Sequence, residues 1–389
     1  MTKLGIETLE EKKLLTISTV AAFPEGSNQA PGAIAIGQDG SVYTSLVSTG
    51  EFIKVDPATG EMVFIGAIEG FSDSGLFKIP SLSVNSADEV FAAFCAECGD
   101  SIDERYGGIW KLVQGDESSF AERIPGTEAI QGASGTTFDE NDNLYVGDIR
   151  GSIYRVSSDG QVELWASDQQ MALNSESSTG IISIDYADGK IFGLASGSLV
   201  FSIEIQADGS AGEATSIGTI NRELIGDLGC GILCGGFNSI AIGKFGGVYV
   251  HSEILPSAIF RFDPNNLEGT FETMIGGTVG VIDTGQDSYA PRSVAFGVQP
   301  GDESTLYWSN VFVQSPDGTT SLSIVNSEID PLLPGDIDRD GQVGFGDFLI
   351  LSSNYGSNTR EHVKGDLDGD GVVTFSDFLI LSQHFGLEA

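Results

Sequence analysis

Two stretches late in the sequence place carboxylates at alternating positions. Residues 335–356 read GDIDRDGQVGFGDFLILSSNYG and residues 365–386 read GDLDGDGVVTFSDFLILSQHFG. Fourteen of these 22 positions are identical at an offset of 30. Counted as a loop, each copy has Asp at positions 1, 3, 5 and 12 and Gly at 6. These are Asp336, Asp338, Asp340, Gly341 and Asp347 in the first loop, and Asp366, Asp368, Asp370, Gly371 and Asp377 in the second. Ca²⁺ is a hard cation that takes about six to eight oxygens. Alternate residues of a tight loop aim their carboxylates at one centre. The glycine bends the chain so that the carbonyl of position 7 (Gln342, Val372) joins them. The last carboxylate opens the following helix, expected from Asp347 to about Asn354 and from Asp377 to about His384. Without a cation, four carboxylates in one loop repel one another. Two calcium ions are therefore expected, one in each loop.

Other residues capable of chemistry are few. Four cysteines fall in two close pairs, Cys95/Cys98 and Cys230/Cys234. A Cys-x2-Cys plus Cys-x3-Cys set suits either tetrahedral zinc or one local disulfide in each loop. Ahead of the calcium loops there is one histidine, His251, which reads as a loop or rim residue. No Gly-x-Ser-x-Gly elbow and no phosphate-binding glycine loop between a strand and a helix is found, so a nucleotide cofactor is not expected.

The elements that must carry these groups recur. A short apolar strand, a turn built on Asp, Asn or Gly, and a strand bearing an aromatic appear six times. The aromatics are Tyr43, Phe91, Tyr145, Phe192, Tyr249 and Tyr307, spaced 48, 54, 47, 57 and 58 residues apart. A period near 50 residues, filled by four short strands and their turns, is one propeller blade. The sixth copy lacks a strand after Arg292–Phe296, Leu306–Val313 and Thr320–Val325, while a spare strand, Leu14–Phe23, precedes the first. Closing the ring with that strand removes the open edges. The expected fold is mainly β: a six-bladed β-propeller followed by a small α calcium-loop domain.

The chain has 389 residues, with 18 basic and 56 acidic ones, for a formal charge of −38. Nucleic acid and anionic membrane surfaces would repel it. No run of about 18 apolar residues is present, so no membrane span is expected. The first residues lack the apolar stretch of a standard secretory signal.

Phe23-Pro-Glu-Gly26, Pro31-Gly-Ala-Ile-Ala-Ile36, Asp39-Gly-Ser-Val-Tyr43 and Lys54-Val-Asp-Pro-Ala-Thr-Gly60 resemble the SMP-30/gluconolactonase-like and NHL-like six-bladed propellers. In lactonase-type members a channel ion is held by a Glu early in blade one and by Asn and Asp from later blades. The resemblance implies Glu25, Asp148 and Asn238 as ligands of one further divalent metal, with Asn310 also facing the channel. Two loop–helix units about 30 residues apart resemble dockerin domains. That resemblance implies Asp336, Asp338, Asp340, Gln342 and Asp347 on one Ca²⁺, and Asp366, Asp368, Asp370, Val372 and Asp377 on the other. Dockerins bind cohesin domains through loop positions 10 and 11, often Ser-Thr, and a basic pair on the helix. Here Phe345-Gly346, Phe375-Ser376, Ser353-Asn354 and Gln383-His384 stand at those places. Leu4–Leu15 resembles the leader of large secreted bacterial proteins that end in dockerin-like repeats, which implies a location outside the cytoplasm.

The expected organisation is a leader over 1–13, a propeller over 14–330 and a dockerin-like domain over 335–389. The expected function is a secreted calcium-binding protein. Its propeller recognises a protein or carbohydrate, and its tail tethers it to an assembly or surface. The alternative is a metal-dependent hydrolase of lactones or sugar-derived esters.

Overall fold

A computed structural model describes residues 17–23, 30–46, 49–71, 78–98, 104–114, 119–167, 180–196, 198–221, 224, 237–252, 258–276, 288–314, 320–329, 333–338, 340–359 and 362–388. Six four-stranded antiparallel sheets form the first part. After a lone strand β1 (Ser18–Phe23), blade one is β2 (Pro31–Ile36), β3 (Val42–Leu46), β4 (Glu51–Val55) and β5 (Met62–Ala67). Blade two is β6 (Ser81–Val84), β7 (Val90–Phe94), β8 (Gly108–Gln114) and β9 (Ser119–Arg123). Blade three is β10 (Ala133–Phe138), β11 (Leu144–Asp148), β12 (Ile153–Val156) and β13 (Val162–Ala166). Blade four is β14 (Ile181–Ala187), β15 (Lys190–Ala195), β16 (Leu199–Ile205) and β17 (Ala211–Thr219). Blade five is β18 (Phe237–Ile242), β19 (Val248–Ser252), β20 (Ala258–Phe262), a four-residue helix α1 (Leu267–Thr270) and β21 (Glu272–Gly276). Blade six is β22 (Ser288–Phe296), β23 (Thr305–Gln314) and β24 (Thr320–Glu328), completed by β1, which pairs antiparallel with β24. The spare N-terminal strand thus closes the ring. The last three strands run longer than expected, and Asn310 lies within β23.

The repeated aromatic has a structural reason. Each one lies on the second strand of its blade and pairs with an inner-strand residue: Tyr43 with Ala35, Phe91 with Ser83, Tyr145 with Thr137, Phe192 with Asp185, Tyr249 with Ala241 and Tyr307 with Ala295. All six aromatics are buried. Six apolar clusters fill the gaps between neighbouring blades, one per gap. Tight turns join the strands. In blade three, Asp139 Oδ1 accepts the N–H groups of Asn141 and Asn143, and Asp142 takes a φ of 58°. That left-handed conformation suits Asp and Asn.

Around the axis, the first strands β2, β6, β10, β14, β18 and β22 contact one another in a closed ring. A serine on one blade accepts an N–H from the next. Ser183 Oγ takes the Ile240 N–H (3.3 Å), Ser239 Oγ the Val294 N–H (3.3 Å) and Ser293 Oγ the Ile34 N–H (3.2 Å). Ser81 Oγ takes the Thr136 N–H at 3.1 Å. The corresponding residue in blade three is Gly135, and a Cβ there would stand 2.6 Å from the Ile184 nitrogen.

Two helices, α2 (Phe345–Asn354) and α3 (Phe375–His384), form the C-terminal module. Both begin two residues earlier than expected. Asp347 and Asp377 sit at the third helical position and cap from there, so the helix opens before the last loop carboxylate and not at it. The two repeats brace each other. Val343 of the first loop bonds Leu387 beyond α3 (2.9 Å), and Gly356 beyond α2 bonds Val373 of the second loop (2.7 Å). Leu333, Ile337, Val343, Leu351, Leu367, Val373 and Leu381 make its core, with Phe245 of the propeller packed against it.

Candidate metal centre and docking face

The loop carboxylates come together as their spacing requires. One oxygen each from Asp336, Asp338 and Asp340 lies within 4.8 Å of the others, and so does the trio Asp366, Asp368 and Asp370. Backbone donors shape each loop. Asp336 Oδ2 accepts the Gly341 N–H at 3.0 Å, and Asp366 Oδ2 the Gly371 N–H at 3.2 Å. Asp347 and Asp377, expected at the last ligand position, stand outside these trios. Asp347 Oδ1 accepts the Ile337 N–H (2.6 Å) and its Oδ2 the Gly344 N–H (2.7 Å). Asp377 does the same with Leu367 (2.6 Å) and Thr374 (2.6 Å). Each ties the start of its loop to the start of its helix. Gln342 and Val372, the position-7 residues, lie on the far side of each glycine bend, where Gln342 bridges to Glu388 and Val372 to Asn358.

The donor set fits calcium. It is all oxygen, and Asp366 Oδ1 is buried with no protein partner. Burial pushes the Asp366 carboxyl above the usual carboxylate range, and the negative charges of Asp377, Asp368 and Asp370 push it further. A divalent cation relieves both costs.

The two helices also present an apolar face. Phe345, Leu349, Phe375 and Leu379 are exposed by 65%, 48%, 58% and 44%. Four rings form a line across both helices: Phe345 to Phe348 (5.9 Å), Phe348 to Phe378 (6.3 Å) and Phe378 to Phe375 (5.8 Å). The residues at the expected polar contact positions are thus the ends of an aromatic ridge.

The described propeller candidates, Asp148, Asn238 and Asn310, belong to blades three, five and six. Asp148 ends β11 and is buried; its Oδ1 accepts the Arg150 N–H at 2.7 Å and its Oδ2 has no protein partner. Burial raises its carboxyl above the usual range. Asn238 is half-buried at the second position of β18. Asn310 is fully buried, and neither amide atom has a partner. Glu25, Cys230 and Cys234 lie outside the described residues, as does the segment 1–16. His251, expected at a loop or rim, is fully buried within β19. Cys95 and Cys98 are bonded to each other with Cα atoms 5.3 Å apart, which removes both thiolates from the zinc alternative. Their loop joins blades two and three, since the Ala96 N–H donates to the Gln131 carbonyl at 2.8 Å. Among the described residues, no third group of three acidic, His or Cys side chains is close enough to hold an ion.

One half-buried acid was not anticipated from sequence. A cavity of about 410 Å³ on the axis is lined by all six inner strands, and Asp185 faces it. Asp185 Oδ2 accepts the Ile242 N–H (2.7 Å), while Oδ1 accepts the Tyr186 N–H (2.9 Å) and the Thr137 hydroxyl (3.3 Å). One carboxylate therefore links blades three, four and five. The signal was present: a charge sits where blades one, five and six carry Ala35, Ala241 and Ala295.

A mainly-β six-bladed propeller with acidic loop–helix repeats after it defines the class. Residues 334–386 match the dockerin type I domain family, so the chain carries a dockerin type I domain behind its propeller. Dockerin domains bind calcium, and a dockerin implies a cohesin-type protein partner. No curated protein matches the chain. Among solved structures, a luciferin-regenerating enzyme is 13% identical, with a TM-score of 0.53 over 81% of this chain and 95% of that one. A putative gluconolactonase is 11% identical, with a TM-score of 0.51 over 81% and 92%. A Bacteroides thetaiotaomicron protein of unknown function is 13% identical, with a TM-score of 0.51 over 81% and 76%. At these identities the likeness is one of fold. No helix among the described residues is long and apolar enough to cross a membrane.

Proposed function

We propose that this is a calcium-loaded recognition protein of a multiprotein assembly, working outside the cytoplasm. Its dockerin domain holds two Ca²⁺ ions, one with Asp336, Asp338, Asp340, Gln342 and Asp347, the other with Asp366, Asp368, Asp370, Val372 and Asp377. The ions set the loops, the loops set α2 and α3, and the helices offer the Phe345–Phe348–Phe378–Phe375 ridge to a cohesin-type partner. The propeller meets a protein or carbohydrate ligand. The observation that carries this reading is the pairing of two carboxylate trios with an exposed apolar face built by the helices that follow them. The test is binding of the full chain to a panel of cohesin domains with calcium and with chelator. Calcium-dependent binding, weakened at least tenfold by Phe345→Asp with Phe375→Asp, is expected, since the two most exposed aromatic anchors of the ridge are lost. A chain that binds two ions and no cohesin overturns the tethering role.

A second reading, hydrolysis of lactones through a channel metal, rests on the buried partnerless oxygens of Asp148 and Asn310. It requires a third divalent ion that survives loss of both loops in Asp336→Asn with Asp366→Asn. It fails if that variant binds no metal and cleaves no lactone.

A further inference from the structure

The two calcium loops have the same carboxylates at the same spacing, yet their surroundings differ. Asp336 retains 8% exposure and Asp366 none; Asp338 is exposed whereas Asp368 is half-buried. The difference comes from blade five. Asn266 Nδ2 donates to the main-chain carbonyl of Asp366 at 2.7 Å, across 100 residues of sequence. Gly369, between the second and third carboxylates, lies against the same side chain, so that a Cβ there would stand 3.1 Å from Asn266 Oδ1.

Asn266 is itself immobilised. Its Oδ1 accepts the Gly269 N–H (2.9 Å) as the cap of α1, and its carbonyl accepts the Thr270 hydroxyl (2.6 Å). It is 4% exposed. Asp263, three residues earlier, orients the turn by accepting the Asn265 N–H at 2.8 Å. Phe245, also of blade five, packs against the dockerin core.

We propose that blade five is an outer part of the second calcium site: Asn266 fixes the entry of that loop, so the two loops bind calcium unequally and the second ion fastens the dockerin domain to the propeller. The inference rests on the calcium assignment above and goes beyond it. The physical basis is pre-organisation. A loop whose first turn is already pinned gives up less conformational freedom when it closes on an ion. The buried Asp366 Oδ1, with no protein partner, gains most from a cation. The aromatic ridge remains exposed in this docked arrangement, so fastening and partner binding use different faces.

The test is calcium calorimetry on the full chain. Two classes of site are expected. Asp366→Asn should remove the tighter class and Asp336→Asn the weaker. Asn266→Ser keeps a cap for α1 but cannot reach the Asp366 carbonyl. It should weaken the tighter class about fivefold to tenfold, the worth of one buried hydrogen bond, and leave the weaker unchanged. Hydrogen exchange is the second readout: calcium should protect residues 258–276 of blade five in the parent chain and not in Asn266→Ser. Equal sites, or a tighter site indifferent to Asn266→Ser, overturn the inference. A parent chain that binds no calcium overturns the assignment beneath it.

Discussion

Asp185 shows how a single side chain can be plain in its chemistry and hidden in its role. Burial pushes its carboxyl up to about 6, against an ordinary value of 3.8. An acid whose folded value is raised favours the folded state while protonated. That contribution is complete below the unfolded value and is lost as pH rises through about 6. The cavity keeps the group partly open, so its worth is below the roughly 3 kcal/mol that two pKa units carry at full burial. The stability of the parent chain, less that of Asp185→Asn, should therefore grow as pH falls from about 6.5 to 4. Thermal melts in matched buffers measure it, and a difference independent of pH contradicts the assignment. The two carboxylate trios, in contrast, were legible because one loop builds each of them from alternate residues. Asp185 acts through Thr137 and Ile242, residues 48 and 57 positions away, and no local pattern joins them.

Among the elements, the blade is the unit the sequence repeats, and its period revealed both the count and the closing strand. What the period did not reveal is how neighbouring inner strands are joined. Four blades use one serine hydroxyl each for this, and serines are too common in strands and turns for the pattern to stand out. Ser239→Ala should cost about 1 kcal/mol, the net worth of a hydrogen bond to a backbone donor. Gly135→Ala should cost more, about 2–3 kcal/mol or above, because its Cβ meets the Ile184 main chain at 2.6 Å and the strands must part. Denaturant unfolding of both variants orders them, and a Ser239→Ala loss larger than that of Gly135→Ala speaks against this packing. The helices were misplaced by two residues for a related reason. Asp347 and Asp377 look like ligands in the sequence, but in the fold each also caps, so the helix begins ahead of them.

The whole molecule is governed by charge. With 56 acidic and 18 basic residues, carboxylates outnumber Lys and Arg about threefold and the formal charge is −38. Two bound Ca²⁺ ions would lower the net charge only from −38 to −34, so repulsion persists in the loaded protein. The excess was legible at once. The seat of the dockerin domain on blade five was not, because Asn266 and Asp366 meet only after two independently patterned parts have folded. Self-repulsion of this size opposes the compact state and is screened by salt, whose Debye length falls to about 10 Å at 0.1 M. In saturating calcium, the melting temperature of the propeller should rise by several degrees between about 10 mM and 0.5 M NaCl. Chloride is the salt of choice, because sulfate also stabilises by exclusion from apolar surface. The dockerin transition should respond in the opposite direction when calcium is limiting, since salt weakens attraction of the ion to its loops. A propeller melting temperature that stays flat or falls with NaCl would mean that the carboxylates are too well spread, and too well solvated, for their repulsion to act on folding.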